Sequence, residues 1–143
     1  MSKKKRQQKQ KELLLQARLL LPMLSQHYPE VFTPDAVVPL AIGIHQEILI
    51  AVPAIPPLVL ATFLRWWTNR LHYLKAVRQP GSHRIHLDGI RQTAITDEER
   101  VYTRKKIRAY WYCRKRKAWE RHKKMMETVE ITGTMAGGFA APS

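Results

Sequence analysis

The chain has 143 residues, enough for one domain with tails and a single core. Twenty-five Lys and Arg against eleven Asp and Glu leave a formal charge of +14, which points to a polyanionic partner: a nucleic acid or an anionic surface. The lone Cys113 excludes an intramolecular disulfide framework and a Cys-rich zinc site, and fits a reducing, cytoplasmic compartment.

Charge is uneven along the chain. Seven basic residues lie in 1–18, none in 19–64, six in 65–91 and twelve in 97–126. The apolar middle is a poor membrane span, because His45, Gln46 and Glu47 interrupt it and Pro53, Pro56 and Pro57 break any helix there. Leu13–Leu24 is apolar behind a basic start, but Gln16 and Arg18 interrupt it and no small-residue cleavage site follows promptly, so secretion is not expected.

Residues 1–8 are polar and basic and read as a disordered tail. The domain proper is expected over 9–126, with a flexible tail over 127–143. A first helix is predicted from about Lys9 to Gln26, with Pro22 kinking or restarting it. Tyr28-Pro29 and Thr33-Pro34 punctuate a loop. Pro39 suits the first turn of a second helix, about 39–52, with Gly43 inside it marking close packing. Pro56-Pro57 open a third helix reaching about Lys75, which the sequence allows to break near Thr68. Leu60, Leu64, Trp67, Leu71 and Leu74 form its core stripe. Arg65, Trp66, Asn69, His72 and Tyr73 form the opposite face, and a ring beside an arginine suits stacked bases and phosphate.

After the turn at Arg78–Gly81, alternation over His83–Leu87 and the Asp88-Gly89 pair predict a β-hairpin with a two-residue type I′ turn, returning over Ile90–Ile95. Ile85 and Leu87 share one face, Arg84 and His86 the other. His83 and His86 then point apart, so they make poor joint metal ligands. Thr96-Asp97-Glu98-Glu99 reads as a helix start. A long basic helix follows over about 97–126, with Val101, Ile107 and Trp111 reaching the core. No phosphate-loop, dinucleotide or nucleophile–base pattern is present in the sequence, so no enzyme, metal or cofactor is expected.

Several segments together resemble one family. Pro39-Leu40-Ala41-Ile42-Gly43-Ile44-His45-Gln46-Glu47-Ile48 is similar to the PLxIGI-x-Q-(D/E)-(I/L) segment of the ProQ/FinO RNA chaperones. Leu64–Thr68, Tyr73-Leu74, Pro80-Gly81, Arg84 and Leu87–Gly89 follow that family's order and spacing. Ser25–Phe32 resembles its FP-x-x-F entry, and Thr103–Ile107 its ARKQL-like stretch. The resemblance covers about residues 20–112. It implies a mainly α fold, formally α+β: a compact helical domain with a small β-hairpin and a long basic C-terminal helix. It also implies a concave basic face for structured RNA, typically a terminator-like hairpin with a single-stranded 3′ tail.

By position, the resemblance gives Arg84 and Tyr73 the pocket for the RNA 3′ end, Arg65 the duplex backbone, and Arg104 with Lys105 the rest of the face. Arg70, Lys75 and Arg108 complete the expected RNA-binding set. Ala41 stands where the family commonly has Lys, and Pro57 and Ala61 fall near two further basic positions, so that end of the face is poorer in charge. The short length resembles plasmid-borne FinO-like members, for which repression of conjugation is one implied outcome and broader small-RNA control another. The expected partner is RNA, bound by a monomer with no small-molecule substrate and no membrane. Two other classes stand beside this one: a regulator binding double-stranded DNA, and a basic membrane-surface protein using the N-terminal helix.

Overall fold

The computed structural model describes residues 2–135. In chain order the elements are α1 (Lys3–Arg18), α2 (Leu20–His27), α3 (Ile44–Ala51), α4 (Pro57–Thr68), α5 (Leu71–Arg78), β1 (His83–Ile85), β2 (Arg91–Ala94) and α6 (Asp97–Met135). The chain divides into two units after Ile107. The first holds every element up to the opening turns of α6. The second, from Arg108, is the remainder of that helix among the described residues.

Helix starts follow local chemistry. Ser2 accepts a hydrogen bond from the Lys5 amide, so α1 begins at Lys3, and residues 3–8 are its first turns rather than the disordered tail expected. The break expected at Pro22 falls at Leu19 instead. Pro22 then occupies the first turn of α2, where its missing N–H would have had no helical partner anyway. Thr96 caps α6 by accepting from the Glu99 amide at 3.1 Å, as its sequence start suggests. The helix continues to Met135, so the flexible tail expected from 127 is helical that far, and its remaining residues lie outside those described.

Two further expectations are corrected. The second helix does not start at Pro39. Instead Pro39, Leu40 and Ala41 run extended beside β1: the Ala41 amide donates to the Ile85 carbonyl and the Ile85 amide to the Pro39 carbonyl, each at 2.9 Å. Gly43 turns the chain into α3 with φ +89, and a Cβ there would meet nothing closer than 4.0 Å. Backbone freedom, not tight packing, is what this glycine supplies. The hairpin connection has three residues rather than two. The Gly89 amide donates to the His86 carbonyl at 2.9 Å and the His86 amide to the Ile90 carbonyl at 2.8 Å, with Gly89 at φ +88.

The core is aromatic at its centre. Phe32, Phe63 and Trp67 are fully buried with ring centroids 5.7 to 5.9 Å apart. Ala17 of α1 and Leu60 of α4 are also completely buried, consistent with the packing of those two helices against each other. On α6, Ile107 is buried together with Thr103 one turn earlier, whereas Val101 and Trp111 are exposed rather than in the core. Val101 lies six residues before Ile107, about a third of a turn off the inward face.

Candidate nucleic-acid interface

The site begins with a backbone requirement. Extended Leu40 lies beside Ile85, but its own N–H and C=O face away from β1, and buried backbone groups need partners. Both are met by side chains singled out from the sequence. The Leu40 amide donates to the Tyr73 hydroxyl at 3.1 Å, and Arg84 Nη1 donates to the Leu40 carbonyl at 2.9 Å. Arg84 Nη2 then stands 3.2 Å from Glu99 Oε2 at the start of α6. One residue of strand thus ties α5, the hairpin and α6 together.

Tyr73 faces inward, not outward as a continuous third helix would place it. Arg70 is extended, with φ −72 and ψ 145, and separates α4 from α5. The break resets the helical phase and turns Tyr73, Leu74 and Val77 to the core side. Burial pushes the Tyr73 phenol above its ordinary pKa, and the Leu40 amide and the Arg84 charge partly offset that rise.

Above this junction opens a cavity of about 380 Å³. Tyr73 and Arg84 line it with Thr68 at the end of α4. From α6 come Glu98, Glu99, Tyr102, Thr103 and Lys106. The Lys106 ammonium sits 5.1 Å from the centre of the Tyr102 ring. The cavity therefore combines hydroxyl groups, an exposed aromatic face and two cations with carboxylates that moderate their charge. Among the described residues, no cluster of His, Cys, Asp or Glu could hold a metal ion. A larger cavity of about 550 Å³ carries Glu30, Glu47 and Asp88, a poor lining for a polyanion.

The other expected residues are placed differently. Arg65, Lys75, Arg104 and Lys105 are exposed, and none of them lines the 380 Å³ cavity. Arg70 lies over both Trp66 and Trp67, 5.1 Å from each ring, and Arg18 lies 5.2 Å from Trp66. Arg70 thus holds an aromatic surface as well as carrying charge. Arg108 is exposed and belongs to the second unit.

Tyr102, Lys106 and Glu99 were missed by sequence reasoning. Their signal was present: Glu99, Tyr102, Thr103 and Lys106 are spaced i, i+3, i+4 and i+7, one face of a helix. Nothing in the sequence said which face of so uniformly charged a helix points to the hairpin.

The profile of the ProQ/FINO family matches residues 15–125. The chain belongs to the ProQ/FinO family. Among solved structures, a FinO-like RNA chaperone from Neisseria meningitidis MC58 is similar, with a TM-score of 0.54 and 26% identity. The likeness covers 62% of this chain and 89% of that one. No curated protein matches. The ProQ/FinO fold here is mainly helical with one two-stranded hairpin and a long C-terminal helix. No helix among the described residues is long and apolar enough to cross a membrane.

Proposed function

We propose that this ProQ/FinO chain is an RNA chaperone, not an enzyme, that binds structured RNAs ending in a short single-stranded 3′ tail. In this reading it stabilises small or antisense RNAs and promotes their pairing with targets. The observation that carries it is the junction of Tyr73, Leu40, Arg84 and Glu99 beneath a cavity walled by Tyr102 and Lys106. Arg84 and Tyr73 hold the terminal nucleotides there. Arg65, Arg104 and Lys105, all exposed, meet the phosphates of the adjoining stem. An A-form stem hides its base edges in a deep, narrow groove, so recognition is by shape and phosphate geometry.

The test is a binding titration with a terminator-like hairpin, with and without its tail, at several salt concentrations. Arg84→Ala is expected to weaken binding by about 1–3 kcal/mol, roughly fivefold to 150-fold. Removing the tail weakens wild-type binding, and affinity falls steeply with salt. Equal affinity with and without the tail would remove the end-pocket assignment. A DNA duplex that competes as well as the hairpin would favour the DNA-binding class instead.

A further inference from the structure

The second unit has a surface pattern that the end pocket does not use. Seven residues nearly complete two helical turns, so residues seven apart drift by only about 20°. Trp111, Ala118 and Met125 form one row by that spacing, and Tyr112, Trp119 and Met126 another. Between them runs a third row: Arg108, Lys115 and His122. These side chains are exposed, Tyr112 and Trp119 by 68% and 61%. Residues 108–124 carry eight Lys and Arg against Glu120 alone. Cations also lie over rings here, Arg114 at 5.9 Å from Tyr110 and Lys123 at 5.4 Å from Trp119.

We infer that this part of α6 is a second RNA-binding element, which holds a single strand by stacking bases on Trp111, Tyr112 and Trp119 while the phosphates follow the row of Arg108, Lys115 and His122. The inference deepens the RNA reading above and rests on it. The central basic row is what selects this occupant. A membrane or a second helix laid on the same face would press Lys115 and His122 into an apolar contact, and desolvating them is costly. A single strand satisfies both features, because every base has a flat π-face and every linkage a charge. Trp119 lies seven residues beyond Tyr112, about 10 Å along the axis. About three stacked nucleotides at ~3.4 Å each fill that gap. A chaperone equipped this way has one site for the end of a folded RNA and another for an unfolded strand, the two partners that annealing requires.

The experiment uses the full chain. Wild type, the Trp111→Ala/Trp119→Ala double variant, the Trp111→Phe/Trp119→Phe double variant and Arg84→Ala are compared. Three quantities are measured for each: affinity for a single-stranded oligouridylate, affinity for a tailed hairpin, and annealing rate of two complementary hairpins. Binding to phosphatidylserine vesicles is measured alongside. Because both tryptophans are exposed, either substitution leaves stability nearly unchanged. The alanine pair is expected to lose at least tenfold in oligouridylate affinity and in annealing rate, with hairpin affinity changed less than threefold. The phenylalanine pair stays within threefold of wild type on all counts. Oligouridylate binding unaffected by the alanine pair, or lost equally in the phenylalanine pair, overturns the inference. So does vesicle binding that is lost with the alanines while RNA binding persists. Wild type that binds the hairpin but not oligouridylate sinks this proposal alone, whereas binding to neither RNA sinks the RNA reading itself.

Discussion

Replacing Glu99 by Gln separates the structural from the binding role of the Arg84 junction, because the two should move in opposite directions. The Glu99 carboxylate lies 3.2 Å from Arg84 Nη2, with the two side chains 35% and 21% exposed. A phosphate seated on the open side of the same guanidinium comes within roughly 7 Å of that carboxylate. At that distance two unit charges repel by about 0.6 kcal/mol in water and about 2.4 kcal/mol at an effective dielectric of 20. The partial exposure puts this site between those limits. Glu99→Gln is therefore expected to tighten hairpin binding by about threefold to fiftyfold. The gain shrinks as salt is raised, since screening weakens the repulsion that is removed. Stability falls by less than about 1 kcal/mol, because the two side chains are partly exposed and Gln keeps a polar oxygen beside the guanidinium. Fluorescence anisotropy with a labelled tailed hairpin at two salt concentrations, beside urea denaturation of the free protein, reads both effects. Unchanged binding at low salt would mean that no phosphate sits near Arg84. Weaker binding would mean that the Glu99 carboxylate itself holds the RNA, by accepting hydrogen bonds from ribose hydroxyls.

Tyr73→Phe leaves the buried Leu40 amide without its acceptor and is expected to cost about 1–3 kcal/mol in urea denaturation at neutral pH. The same variant changes the alkaline limb. Because burial raises the phenol above 10.0, the unfolded chain ionises first, so wild-type stability is full below that pH and falls as pH rises through the folded value. The variant lacks that part of the decline, and parallel slopes between pH 9 and 11 would contradict the account. Gly89→Ala is expected to lose about 1–2 kcal/mol from its left-handed backbone at φ +88. The new Cβ would also overlap Glu30 Oε2, but that carboxylate ends a flexible side chain. Adding Glu30→Ala should therefore restore little, and full recovery in thermal melts would show that the clash dominates. Arg70→Met keeps an unbranched stem but removes the cation over Trp66 and Trp67. A loss on the order of 1 kcal/mol is expected, with a shift in tryptophan emission, and unchanged emission would argue against the contact.

Local chemistry wrote much of the architecture into the sequence. The Thr96 cap with its acids placed the start of α6, Pro57 the start of α4, and the alternation from His83 to Leu87 the hairpin. Those signals act over four or five residues, so a single chain displays them. The segment order that resembles the ProQ/FinO family is legible for the same reason, and it picks out Tyr73 and Arg84, both of which bond to Leu40 in the fold. What short-range signals could not carry was phase. The break at Asn69 and Arg70 decides that Tyr73 turns inward, and Gly43 decides that Pro39 to Ala41 extend beside the hairpin instead of coiling. Only then does Leu40 present the two backbone groups that bring a tyrosine from 33 residues away and an arginine from 44 residues away to one point. The residues able to make the site are thus fixed by the chain itself. Their meeting, and the choice of Tyr102 and Lys106 over Arg104 and Lys105 as walls of the cavity, depend on which helix faces are buried, and burial is settled by the packing of distant segments.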